Sequence, residues 1–196
     1  MSKGELTRQA IVDEATRVAS RVGLGGLTIG SLAADTGLSK SGLFAHFNSK
    51  ESLQLQVLAH ARSRFVDQVV RPALKAPRGE PRVRALFEQW LAWCGDLPGG
   101  CVFVAAASEL DDRPGPVRDQ LVANQRDWLE TVATVFRGGT SEGQFRADAD
   151  PEQFAQDLYG VMLAYHHAKR LLRDPKAEER ARRALERLLD AARLPD

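Results

Sequence analysis

Apolar side chains recur along this chain at three- and four-residue intervals, and no alternation with polar residues persists. The first spacing lines one face of a helix, whereas sustained alternation marks a half-buried strand, so the pattern predicts an all-α protein. Residues 7–22 align Ile11, Ala15, Val18 and Val22 on one stripe, and Gly23 is placed to stop that helix. Residues 49–70 repeat the device with Leu53, Val57, Ala61, Phe65 and Val69. Pro72 and the run Ala76-Pro77-Arg78-Gly79 then break the chain. A helix over 80–95 bears Leu86, Trp90 and Trp93, and a Leu97-Pro98-Gly99-Gly100 turn leads to a short apolar helix at about 101–110. Pro114 and Pro116 mark a bend before a helix at 117–136, which Gly138-Gly139 is expected to end. Asp150-Pro151 and Asp174-Pro175 each read as a helix cap followed by proline at the first helical position, opening helices 151–172 and 176–193. With two short helices between 28 and 47, the expected count is about nine.

Residues 28–53, TIGSLAADTGLSKSGLFAHFNSKESL, are the most specific stretch. Thr28 can cap a helix with Ile29, Leu32 and Ala33 on one face, and Gly37 supplies the left-handed residue that ends it. Ser39 can cap the next helix, which Leu38 and Leu43 pin to the first. This spacing suits a helix-turn-helix whose second helix enters the major groove of DNA. The groove-facing set is then Ser39, Lys40, Ser41, Gly42, Phe44 and His46. Lys40 and Lys50 are the candidate phosphate ligands, and Thr28 can donate to a phosphate as well as cap. Phe44 can touch a thymine methyl, pack on sugar carbons, or lie partly against the first helix.

The segment resembles the DNA-binding domain of TetR-type transcriptional regulators. The family pattern runs roughly Thr-x-x-x-Ile-Ala, Gly-Val-Ser-x-Gly-x-Leu-Tyr-x-His-Phe, then x-Ser-Lys-Glu-x-Leu. Thr28, Leu32-Ala33, Gly37-Leu38-Ser39, Leu43-Phe44, His46-Phe47 and Ser49-Lys50-Glu51 stand at matching positions. Two departures bear on base reading. Ser41-Gly42 replaces the usual glycine and its successor, and Phe44 stands where tyrosine is common, removing a phenol-to-phosphate hydrogen bond. The resemblance implies a three-helix reading domain over 1–48, a connecting helix over 49–71 and a helical ligand-binding and dimerisation domain over 72–196. It also implies a small-molecule effector that alters the spacing of two reading domains, most simply in a repressor.

Composition narrows the alternatives. A chain of 196 residues with formal charge +1 is no general nucleic-acid coat. Residues 1–50 carry six basic against four acidic side chains, enough for a few phosphate contacts per subunit. Two cysteines outside any paired motif fit a reducing compartment, and no leader or long apolar run is evident, so a soluble cytoplasmic protein without membrane association is expected. There is no phosphate-cradling glycine loop, nucleophile triad or metal-ligand spacing, which argues against an enzyme and for no cofactor. His166-His167 with His60 make a poor metal set, because consecutive helical residues point about 100° apart.

The C-terminal part carries more aromatic residues than single helical stripes need. Trp93, Phe103, Trp128, Tyr159 and His166 are candidate effector contacts, with ordinary core packing as the competing reading. Their composition leans towards a hydrophobic or aromatic effector. Phe154, Leu158, Val161, Met162 and Tyr165, then Ala181, Leu185 and Leu188, are expected to offer an apolar face to a second copy of the chain. Such a dimer would place two reading helices on half-sites roughly 34 Å apart, on a palindromic operator. Cys94 and Cys101, seven residues apart across a turn, could bridge and respond to oxidants. The alternatives are a thiol-sensing regulator of the same kind, or a helical interaction module whose helix-turn-helix no longer binds DNA.

Overall fold

The computed structural model describes residues 3–37 and 39–194, with side chains from residue 8 onward except that of Thr36. Leu38, expected to help pin the second short helix, lies outside them. The described residues form nine helices and no strand, apart from one isolated bridge between Phe145 and Arg193. These are α1 (Lys3–Gly26), α2 (Ile29–Thr36), α3 (Lys40–Phe47), α4 (Lys50–Phe65), α5 (Glu80–Asp96), α6 (Val102–Leu110), α7 (Pro116–Ser141), α8 (Pro151–Arg170) and α9 (Ala177–Ala192). They fall into two compact units, residues 1–65 with 95–124, and residues 66–94 with 125–196.

In the first unit α1 packs against α2, α4 and α6. Ile11, Ala15, Val18, Leu24, Leu32, Leu43, Phe47, Leu53, Val57 and Ala61 are all buried there. The helical stripe of α1 ends earlier than its spacing predicts, because Gly23 takes φ +78 and breaks the periodicity. Val22, just before the break, is exposed, and Leu24 and Leu27 beyond it take the next inward places. Gly99 lies against the α1 backbone, its N–H donating to Ser20 Oγ at 3.1 Å. A Cβ on Gly99 would stand 1.4 Å from the Ser20 carbonyl oxygen, so only glycine fits.

The stripe of α4 is buried throughout, and the chain passes from α4 directly into a π-helical turn, Val66–Val70, and a last turn at Arg71–Ala73. Pro72 supplies a reason for the widened turn: it has no N–H for the Gln68 carbonyl, and its ring crowds that carbonyl.

In the second unit Phe136 stacks between Phe145 and Phe154, with centroids 4.4 and 4.3 Å away. Trp90 meets Tyr165 edge-on at 5.5 Å. The expected stop at Gly138-Gly139 does not occur, for α7 runs on to Ser141. Gly139 instead makes room for packing, since a Cβ there would lie 2.4 Å from the Phe145 ring. Asp150 caps α8 as expected, accepting from the Glu152 and Gln153 amides. Asp174 accepts from Lys176 N–H and pairs with Arg180, and α9 opens at Ala177, one residue later than expected. The C-terminal end of α9 is tied to α5 by ion pairs. Glu80 accepts from both Nε and Nη2 of Arg193 at 2.9 and 2.7 Å, and Arg84 joins Glu80 to Glu186.

Candidate nucleic-acid interface

The reading elements are set by local hydrogen bonding. Thr28 caps α2, accepting from Ser31 N–H at 3.0 Å, while Ser31 Oγ accepts from Thr28 N–H at 2.9 Å. This reciprocal pair satisfies two orphan amides of the helix end. Gly37 closes α2 at φ +68, and no atom stands within 4 Å of an added Cβ, so glycine serves the backbone conformation there. Ser39 caps α3, accepting from the Gly42 N–H at 3.1 Å. A Cβ on Gly42 would sit 3.1 Å from that hydroxyl, so the glycine leaves the cap undisturbed.

Leu43 and Phe47 are the inward residues of α3. Lys40, Ser41, Gly42, Phe44 and Ala45 are exposed, and Phe44 retains 52% of its surface. His46 is half-buried with its ring 6.2 Å from Phe47. The starts of α2 and α3 converge: a Cβ on Gly30 would meet Thr28 Oγ1 at 3.7 Å and Lys40 Cε at 3.8 Å. Helix N-terminal amides and an ammonium thus lie in one place, a local field that favours an anion.

Lys50 has a partner within the chain that its sequence neighbourhood does not indicate. Its Nζ donates to the Gly25 carbonyl at 2.5 Å, because the last carbonyls of α1 lack intrahelical donors. Gln54 Nε2 serves the Leu24 carbonyl in the same way at 2.5 Å, and Glu109 of α6 accepts the Gly25 N–H at 2.7 Å. Gln54 and Glu109 carry no sequence signal for this task, since their partners are backbone atoms distant in the chain. The Ser31 half of the capping box was readable from its three-residue spacing to Thr28.

The candidate effector residues divide between the units. Phe103 belongs to the first, where it meets Phe65 edge-on at 5.8 Å. Trp93, Trp128, Tyr159 and His166 belong to the second; the tryptophans are buried, and Tyr159 and His166 half-buried. His166 Nε2 is buried with no hydrogen-bond partner among the described residues. Burial, and then the nearby Arg170 charge, push the His166 pKa below its ordinary value. Cys94 is half-buried and Cys101 buried, both as thiols rather than a bridge. His60 rests against Asp13 and Gln9 in the first unit, whereas His166 and His167 lie in the second.

The expected self-association face needs correction. Phe154, Leu158, Met162, Tyr165, Ala181 and Leu185 are buried within the single chain, so they hold the protomer together. Val161 and Leu188 are half-buried. What α8 and α9 leave open is a groove of about 430 Å³ whose lining includes Gly160, Val161, Ala164, Ala168 and Ala184. Val161, Tyr165 and Ala181 of the expected set also line this groove, so the two apolar sets adjoin, and spacing alone does not say which residues turn inward. No described helix is long and apolar enough to cross a membrane.

Known proteins align with both parts of the chain. Residues 11–57 match the family model for bacterial regulatory proteins of the tetR family, and residues 79–185 that for a tetracyclin repressor-like C-terminal domain. The HTH-type transcriptional repressor DhaR of Mycobacterium sp. (strain GP1) is 27% identical over 155 residues, 77% of this chain and 76% of that protein. A TetR transcriptional regulator from Chloroflexus aurantiacus J-10-FL superimposes over all of both chains with TM-score 0.87 and 25% identity. A transcriptional regulator from Saccharomonospora viridis, in complex with choline, shares the fold at TM-score 0.83 and 22% identity, covering 97% of this chain and 100% of its own. The C-terminal match alone takes in more than half of the residues, and the N-terminal one falls on the capped helices described above. The chain therefore belongs to the TetR family and is a DNA-binding transcriptional regulator with a ligand-binding C-terminal domain, not an enzyme.

Proposed function

We propose that this regulator is a cytoplasmic repressor that binds a palindromic operator as a homodimer and is released by a small hydrophobic or aromatic effector. Residues 1–48 read DNA, 49–71 connect, and 72–196 bind the effector and the second subunit. The observation that carries the reading is the outward face of α3, with Lys40 and the α2 N-terminus converging beside it. Ser39, Ser41, Gly42 and Phe44 face the bases, while Thr28, Lys40 and His46 meet the phosphates. Lys50 holds Gly25 with one of three ammonium donors and turns the others to the backbone.

The sense of regulation follows the name of the Mycobacterium relative. Trp93, Trp128, Tyr159 and His166 contact the effector, with His166 Nε2 as the polar group that orients it. Hundredfold release of DNA needs about 2.7 kcal/mol of difference in effector affinity between the two states. Small side chains at Gly160, Ala164, Ala168 and Ala184 let helices of a second copy approach the groove.

Selection of bound fragments from random duplex DNA, followed by footprinting, tests the reading. Recovery of a twofold-symmetric site supports it, and recovery of no site refutes it. Ala164→Arg fills the groove from an exposed position. The variant is expected to sediment as a monomer at micromolar concentration and to lose most operator affinity. Wild-type protein that sediments only as a monomer would rule the dimer out.

A further inference from the structure

The outward face of α3 is poor in groups that read bases by hydrogen bonding. Lys40–Phe47 contains no arginine, asparagine or glutamine; its one lysine, Lys40, stands at the start of the helix beside Gly30 and Thr28, where the proposed function gives it a phosphate rather than a guanine edge. Leu43 and Phe47 are used in the core. The Ser39 hydroxyl holds the Gly42 amide and lies 3.2 Å from that of Ser41, so the polar atoms of the first turn are largely engaged with one another. What projects beyond them is the ring of Phe44, with the Ala45 methyl beside it and bare backbone at Gly42. A phenyl ring half in water at this place on a reading helix is available to an apolar group on the base edges. On the base edges of the major groove, the apolar group available is the C5-methyl of thymine. 5-Methylcytosine carries the same group on the same carbon.

We infer that Phe44 is the specificity-determining residue of this chain, reading a pyrimidine C5-methyl group in each half-site. Discrimination at that step then follows the methyl group rather than the donor and acceptor pattern of the pair, so cytosine methylation there strengthens binding. The inference rests on the proposed DNA-binding function and names what that surface reads.

The test uses the full chain and duplexes recovered by selection. Each thymine in the footprint is replaced by uracil, which removes only the methyl. One position per half-site is expected to lose about fourfold in affinity, and both together about fifteenfold. At that step, a 5-methylcytosine·guanine pair is expected to bind about fourfold better than a cytosine·guanine pair. Phe44→Ala, at an exposed position, should bind the thymine and uracil duplexes alike with its salt dependence unchanged. Phe44→Leu should keep part of the discrimination. Uracil tolerated at every position, a uracil penalty that persists in Phe44→Ala, or half-sites that lack thymine would each overturn the inference while leaving DNA binding intact. Recovery of no duplex at all would refute the proposed function and this inference with it.

Discussion

Replacing Gly99 with alanine asks whether the turn before α6 rests on α1 as closely as the structure indicates. The added Cβ would lie 1.4 Å from the Ser20 carbonyl oxygen, 1.9 Å from its carbon and 2.6 Å from the Arg21 nitrogen. All three are backbone atoms of a helix, so no side chain can swing aside. The turn must retreat by about 2 Å to reach ordinary contact, and that movement breaks the buried Gly99 N–H to Ser20 Oγ bond. Overpacking costs about 1–3 kcal/mol and the lost bond about as much again, so roughly 4 kcal/mol is expected from a total of about 5–15. For a chain of this size the melting temperature should fall by about 8–16 °C. Gly95→Ala is the control. It lies in α5, is exposed, and has no atom within 4 Å of an added Cβ. The same substitution there should be neutral or stabilise by up to about 1 kcal/mol through reduced backbone entropy. Thermal and urea unfolding followed by far-ultraviolet circular dichroism distinguishes the two. A Gly99→Ala protein that melts within about 2 °C of wild type would refute the close packing of turn on helix.

Other expectations concern charged groups. Glu109→Ala removes the acceptor for the Gly25 N–H and should cost about 1.5–3 kcal/mol, whereas Glu109→Gln keeps an oxygen and should recover most of it; faster exchange of the Gly25 amide in the alanine variant alone is the check. The hydrogen bond from Arg193 holds the Glu80 pKa below the usual carboxylate range, and Arg84 does the same for Glu186. A carboxylate with a depressed folded pKa contributes fully above its unfolded value, about 4.3, and loses that contribution as pH falls through the folded value. Wild type should therefore lose stability between neutral pH and about pH 3 more steeply than Glu80→Gln, as read from urea midpoints; equal slopes would contradict the assignment. Lys40→Ala should weaken operator binding across sequences and flatten the salt dependence by about one unit, and an unchanged slope would remove Lys40 from the phosphate contacts.

Much of this architecture is legible along the chain because the forces behind it are local. Thr28, Ser39 and Asp150 cap the helices that follow them, since a cap joins residues two or three apart. Leu53, Val57, Ala61, Phe65 and Val69 share one buried face because helical geometry puts them there whatever they pack against. Gly37 could be assigned its left-handed conformation for the same reason.

Roles that depend on distant partners could not be read this way. Nothing near Lys50 in the chain points to its bond with the Gly25 carbonyl, and Glu109 looks like a surface charge until it meets the Gly25 amide. Gly138-Gly139 reads as a helix stop, yet α7 continues past it, and Gly139 serves instead to leave room for the Phe145 ring. Phe154, Leu158, Met162 and Tyr165 form a helical stripe that suits a second subunit as well as it suits the protomer core. By itself, then, the order of residues determined the helices, many of their ends and the short capped helix-turn-helix pair, all from interactions spanning a few positions. Only tertiary packing decided which apolar face turned inward, which glycines were demanded by close approach and which charges were already engaged. Those outcomes depend on atoms brought together from far along the chain, and one-dimensional spacing carries no record of them.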